Sequence, residues 1–161
     1  TLLESIKILK NKYKLNFILL IMGRGKNKKD IQNFINKNNL NLNVKVIGFK
    51  KNPYKYIRHC NLFVLSSRFE GLPNVLLEAI TLKKFVISAN CPTGPSEILN
   101  NGKGGLLFKT GSPNDLAKKI IYYCNNKKKL QKKIDFAYNN LNRFDFNTNL
   151  MKYLKVITDL F

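Results

Sequence analysis

LFVLSSRFEGLPNVLLEAITLKKFVISAN, residues 62–90, carries the pattern that decides the fold. Its two ends, LFVLSS (62–67) and FVISAN (85–90), are short apolar runs. Runs of that length without alternation are the form taken by strands covered on both faces of a parallel sheet. Between them, NVLLEAIT (74–81) reads as a helix. Val75, Leu76, Leu77, Ala79, Ile80 and Leu82 make it apolar nearly all round, as in a buried helix. Strand, helix and strand in that order form the unit of a parallel sheet, because parallel neighbours need a crossover between them.

The same alternation extends in both directions. Upstream, TLLESIKILKNK (1–12) places Leu2, Leu3, Ile6 and Leu9 on one helical stripe. NFILLIM (16–22) reads as a buried strand, closed by Gly23-Arg24-Gly25. A helix with Ile31, Phe34 and Ile35 inward, the strand VKVIGF (44–49) and a short helix over 54–59 follow. Downstream, a short helix begins near Ser96, and Asn101-Gly102 and Gly104-Gly105 make turns before the strand LLF (106–108). Pro113 opens a helix over 114–124, and residues 127–161 are helical and lysine-rich. The expected fold is α/β, with a Rossmann-like, doubly wound and mostly parallel sheet. Residues 1–161 form one domain, in which 127–161 supply C-terminal helices.

Composition bounds the function. The chain has 29 Lys+Arg against 9 Asp+Glu, a formal charge of +20. An anionic partner would explain it: nucleic acid, an acidic bilayer or a phosphorylated substrate. So would a lysine- and asparagine-rich codon usage, with no binding role. Cys60, Cys91 and Cys124 lie far apart without metal-ligand spacing, which points to free thiols and no metal. The single histidine, His59, lies beside Cys60, but adjacency in sequence does not make a catalytic pair.

In open α/β sheets, ligands bind beyond the carboxyl ends of the strands. Here those ends carry Gly23-Arg24-Gly25, then Ser66 to Gly71, then Asn90 to Pro95. Pro73 suits the first helical turn, where its missing N–H costs nothing, and the helix start would offer free N–H groups to a phosphate. Gly71 would let backbone approach a ligand. Glu78 is the only acid on an otherwise apolar helix, so its carboxylate needs a partner or a ligand. Glu70 and Glu78, with seven residues between them, can both accept hydrogen bonds from hydroxyls of a sugar or a ribose. Glu97 reads as structural, opening a short helix; Arg24 and Arg68 are either phosphate contacts or exposed loop residues.

SSRFEGLPNVLLEA (66–79) resembles the E-x7-E signature of glycosyltransferase family 4, the group 1 family. ILLIMGRG (18–25), VKVIGFKKNPYKYIRHCNLFVLSS (44–67) and KFVISANCPTGPSEILNNGKGGLLF (84–108) are similar to further segments of that family. The Cys-Pro-Thr-Gly-Pro-Ser-Glu form resembles bacterial enzymes of surface-glycan biosynthesis. The resemblance implies the C-terminal, donor-binding half of a GT-B fold. It implies that Glu70 contacts the donor sugar and that Glu78 binds ribose. Gly71, Leu72, Pro73 and Asn74 would touch sugar and diphosphate, Gly23 and Gly25 would form the first loop of the site, and Phe49 and Lys50 would lie near the base. Glu70 then acts as a positioning and electrostatic group.

The implied reaction is retaining transfer of a hexose or N-acetylhexosamine from a nucleotide-sugar, with UDP as the commonest base. The acceptor is a growing, lipid-linked glycan. No metal or cofactor is implied, since the nucleotide-sugar is a substrate. The implied location is cytoplasmic, with peripheral contact at the inner face of an anionic membrane. Family members carry an Arg and a Lys on a strand and loop just ahead of the point matching Thr1. The resemblance therefore implies a chain without that first strand, its basic clamp or the N-terminal acceptor domain, leaving unpaired strand edges and marginal stability. A basic nucleic-acid-binding module is the alternative; against it, no such motif occurs and the lysines lack aromatic interleaving. A dinucleotide-binding oxidoreductase fails on its fingerprint, because Lys28 stands where the third glycine belongs.

Overall fold

The computed structural model describes residues 1–160. Helices and parallel strands alternate as the sequence predicts. In chain order they are α1 (Leu2–Asn11), β1 (Leu19–Met22), α2 (Lys28–Lys37), β2 (Val44–Gly48), α3 (Tyr54–His59), β3 (Leu62–Leu65) and α4 (Asn74–Thr81). Then come β4 (Phe85–Ala89), α5 (Pro95–Ile98), β5 (Leu106–Phe108), α6 (Pro113–Asn125) and α7 (Lys127–Asn139). A 3-10 turn (Leu141–Phe144) leads into α8 (Phe146–Thr158).

The strands do not form one sheet. β1 pairs with β2, and β3, β4 and β5 make a second sheet in that order, every pairing parallel. Among the described residues no ladder joins the two sheets, so β1, β2, β3 and β5 each keep one unpaired edge. That split is what a doubly wound sheet with a mid-sheet gap would show. Four strands are also shorter than the apolar runs suggest. The ladder ends at Met22, Gly48, Leu65 and Ala89, and Asn16 to Ile18 fall outside β1. Ser66, Ser67 and Asn90 therefore belong to the loops of the ligand edge.

β4 explains why the layers hold. All five of its residues are buried. Phe85, Ile87 and Ala89 pack into one core with Ile6, Leu9, Ile35 and Leu116. Val86 points the other way, into a core with Ile57, Leu76, Ala79, Ile98 and Ala137. Alternate side chains of a strand face opposite sides, so a central strand must be apolar throughout. Helices α1, α2 and α6 cover one face and α3, α4 and α5 the other, while α7 reaches both, with Leu130 in the first core and Ala137 in the second. Burial of each large apolar side chain contributes about 1.5–3 kcal/mol. Tyr123 on α6 stacks on Phe85, centroids 4.8 Å apart, and donates its hydroxyl to the Asn61 carbonyl at 2.6 Å.

Local chemistry sets the helix starts. Ser112 caps α6 by accepting from the Asp115 N–H at 3.3 Å, with Pro113 in the first turn. Asp145 caps α8 by accepting from the Thr148 N–H at 2.8 Å. α8 buries none of its residues. Phe146, Leu150, Tyr153, Leu154, Ile157 and Leu160 form an apolar stripe at helical spacing, yet all are exposed. No helix among the described residues is long and apolar enough to cross a membrane.

Candidate active site

Every pairing is parallel, so the carboxyl ends share one edge within each sheet, and the expected site residues fall there in two groups. The first group is built on β1 and β2. Gly23, at φ +133°, donates its N–H to the Gly48 carbonyl at 3.0 Å, and Gly48 sits at φ +67°. Only glycine adopts those angles readily. The pairing fixes the two loops against each other. It sets the Arg24 guanidinium 4.6 Å from the centroid of the Phe49 ring. Phe49 is 55% exposed, Lys50 is half-buried and Gly25 is exposed. A β-carbon on Gly23 or Gly25 would meet nothing within 4 Å, so their backbone is open to a ligand.

The second group is built on β3 and α4. Glu70 is half-buried, and Gly71, Leu72 and Asn74 are exposed. Gly71 has open space beside its α-carbon. Pro73 is buried and stands at the N-cap with an extended ψ of +95°, and α4 begins at Asn74 as the sequence predicts. Proline offers no cap, and no side chain caps α4. The N–H groups of Asn74 and Val75 are left to a ligand or water at the positive end of the helix dipole.

Glu78 lies one turn further along α4. It is half-buried, so the expected cost of a lone carboxylate inside the protein is reduced by solvent. Tyr54 on α3 reaches it, hydroxyl to Oε1 at 3.4 Å. This contact joins the β2 side of the edge to α4. Nothing in the sequence pairs Tyr54 with Glu78, because they are 24 residues apart.

The loop after β4 completes the second group. Thr93 donates its hydroxyl to the Glu70 carbonyl. Gly94, at φ +80°, lies against Gly71 and Pro73. Cys91 is buried beside them; burial first, and then the negative charge of Glu70, push its thiol pKa up. The sequence places Thr93 and Gly94 in the loop after β4 at a ligand edge, and their contacts with the Glu70 loop appear only in the structure. Glu97 is exposed on α5, and Arg143 binds its backbone carbonyl at 3.2 Å, a structural contact as expected. Arg68 is exposed.

Two open recesses flank this edge. One, of about 450 Å³, is lined by Asn90, Lys109 and Thr110 among others. The other, of about 570 Å³, is lined by Tyr54, Lys55, Arg58 and His59 among others. Neither includes Glu70 or Glu78.

Known proteins resemble this chain in sequence and fold. The sequence pattern of the family Glycosyl transferases group 1 matches residues 1–140. The chain is 34% identical over 98 residues to the N-acetylgalactosamine-N,N'-diacetylbacillosaminyl-diphospho-undecaprenol 4-alpha-N-acetylgalactosaminyltransferase of Campylobacter jejuni, covering 61% of this chain and 27% of that one. It is 32% identical over 154 residues to the capsular polysaccharide biosynthesis glycosyltransferase CapH of Staphylococcus aureus, covering 91% of this chain and 40% of that one. Its fold superposes on a mutant of Staphylococcus aureus TarM, solved with Fondaparinux, alpha-GlcNAc-glycerol and UDP. That match has a TM-score of 0.86 and 27% identity, and covers 95% of this chain and 31% of that one. The chain thus spans roughly a quarter to two fifths of the length of these proteins. The fold is the Rossmann-like C-terminal half of GT-B enzymes, and the chain belongs to the group 1 glycosyl transferases.

Proposed function

We propose that residues 1–161 are the donor-binding domain of a retaining glycosyltransferase that binds a UDP-sugar. The enzyme transfers its hexosyl or N-acetylhexosaminyl group to a growing, lipid-linked glycan. The observation that carries this reading is the joint placement of Glu70 and Glu78. Both stand at the carboxyl edge, one on each side of the uncapped start of α4. Hydroxyl acceptors flanking a phosphate-binding helix end suit a molecule with a sugar, a diphosphate and a ribose in line.

In this reading Glu70 holds hydroxyls of the donor sugar and Glu78 holds the ribose. The α4 N–H groups with Gly71, Leu72, Pro73 and Asn74 face the diphosphate and sugar. Gly23, Gly25, Phe49 and Lys50 serve the nucleoside end. The bond from the anomeric carbon to the diphosphate oxygen breaks, and the acceptor oxygen bonds to that carbon on the same face. The acceptor proton passes to the departing phosphate. Glu70 fixes the sugar and stabilises developing positive charge at its ring, so it contributes by orientation and electrostatics. No metal or cofactor takes part. A solved relative's complex with UDP and another relative's diphospho-undecaprenol substrate support UDP and a lipid-linked acceptor. Such an acceptor would place the enzyme at the cytoplasmic face of the membrane, where a charge of +20 favours anionic lipid.

The test is calorimetric titration of the full-length protein with UDP-, GDP- and ADP-sugars, for wild type and Glu78→Ala. Tight binding of a UDP-sugar, weakened about tenfold or more by Glu78→Ala, is expected. Binding that ignores Glu78, or absence of binding to all three, would overturn the reading. Proton NMR of the product's anomeric signal then decides retention.

A further inference from the structure

The larger recess runs along α3 and does not include either carboxylate of the pair. It measures about 570 Å³ and is lined by Asn52, Tyr54, Lys55, Arg58, His59 and Leu82. Asn52, Lys55, Arg58 and His59 all carry side-chain N–H donors, and no lining residue is an acid. Lys55, Arg58 and His59 are spaced i, i+3 and i+4, so they share one face of α3, and all three are exposed. Helix stability does not account for them. Lys55 and Arg58 are like charges at a spacing where like charges repel. The helix dipole favours Arg58 and His59 in the last turn of α3 but opposes Lys55 in the first. A further cation stands near the end of α3: burial raises the Cys60 thiol pKa, and the charge of Lys84 works against that rise. His59 is oriented by its own helix. Its Nδ1 lies 2.6 Å from the Lys55 carbonyl and must carry the proton, because a carbonyl only accepts. That leaves Nε2 for a ligand. Tyr54 is already engaged, with its hydroxyl on Glu78 at 3.4 Å.

We propose that the recess along α3 is a second anion site, which takes the phosphate of a phosphomonoester. A guanidinium fork, an ammonium, an amide and an imidazole on one recess suit an anion whose oxygens point in several directions. A phosphate has that form and a carboxylate does not. Arg58 supplies the paired donors, Lys55 the point charge and Asn52 a neutral donor. The bound anion offsets the repulsion between Lys55 and Arg58, which α3 otherwise carries without return. The phosphate belongs either to a soluble phosphorylated compound or to a lipid headgroup; the recognising chemistry is the same. The site does not depend on the nucleotide-sugar reading, because none of its donors holds the nucleotide-sugar there.

The experiment titrates inorganic phosphate into the full-length protein and follows the His59 ring signals by NMR, assigned through His59→Gln. A saturable shift is expected, absent with chloride at equal ionic strength. Arg58→Glu and Lys55→Glu should each weaken it about tenfold or more, since each removes a charged hydrogen bond. Lys118→Glu makes the same charge change on an exposed α6 lysine and should leave the affinity unchanged. Thermal midpoints of the three variants should match wild type, because these side chains are exposed. Sedimentation with phosphatidylcholine vesicles containing phosphatidic acid, whose headgroup is a phosphomonoester, then separates the two sources. Vesicle binding lost in Arg58→Glu but kept in Lys118→Glu assigns the site to lipid. Equal vesicle binding by the two, with the His59 shift still dependent on Arg58, assigns it to a soluble phosphorylated compound. A shift that is linear, or that chloride reproduces, would overturn the proposal. So would a shift that Arg58→Glu leaves intact, or that Lys118→Glu weakens equally.

Discussion

Gly94 presses on Gly71. A β-carbon on Gly94 would stand 1.9 Å from the Gly71 carbonyl oxygen and 2.6 Å from Cδ of Pro73. The loop after β4 thereby braces the loop that carries Glu70, and the Thr93 hydroxyl adds a second tie to the Glu70 carbonyl. The Gly71 side of the brace is backbone, which cannot rotate aside as a flexible side chain would, and the Pro73 atom belongs to a closed ring.

Gly94→Ala should therefore force the two loops apart. The substitution meets both a φ of +80° and a backbone clash. A loss of about 1–3 kcal/mol in denaturant unfolding is expected, together with weaker donor binding. An alanine variant with wild-type unfolding and wild-type donor affinity would show that the brace is dispensable.

Glu78 and Tyr54 should differ in weight. The Tyr54 hydroxyl sits at 3.4 Å, the long end of a hydrogen bond. Tyr54→Phe should raise the donor Kd by no more than about fivefold, a neutral bond's share. Glu78→Gln should raise it by more, because a charged acceptor is lost. Titration of both variants decides, and the reverse ranking would mean that Tyr54, not Glu78, holds the ligand.

Cys91 reports on Glu70. Burial and the Glu70 charge both disfavour its thiolate, the reactive form. Slow alkylation by iodoacetamide at neutral pH is expected. Glu70→Gln removes one of the two causes, so the midpoint of alkylation rate against pH should move down. A midpoint that stays in place would mean that the carboxylate does not act on the thiol.

Asp145 makes the α8 cap sensitive to acid. Its hydrogen bonds from Thr148 lower its carboxyl pKa below the ordinary 3.8. A group with a depressed folded pKa contributes stability above its unfolded pKa and loses it as pH falls through the folded one. The cap is thus fully formed at neutral pH and fails only below the ordinary carboxylate range. Hydrogen exchange of the first α8 amides should accelerate there in wild type. In Asp145→Ala it should be fast at every pH, with no acid step.

Much of this architecture was legible in the residues. The strands LFVL and FVISA and the helix between them follow from apolar runs of the right length, since a parallel strand must hide both faces. The Glu70 to Glu78 spacing was legible for a similar reason: a loop and one helix turn are local structures, and local spacing survives folding. Strand ends were read too long, because an apolar residue does not reveal whether a ladder partner exists beside it.

Sequence alone, then, determined the order of elements, the family and the pair of carboxylates, all of which depend on neighbours within about ten residues. The tertiary structure alone decided which loops touch. It set Gly94 on Gly71, Thr93 on Glu70, Tyr54 on Glu78 and Arg24 on Phe49, and it divided the strands into two sheets. Those relationships join residues more than twenty positions apart, and no periodicity encodes them. They arise only when packing on both faces of β4 brings distant segments together.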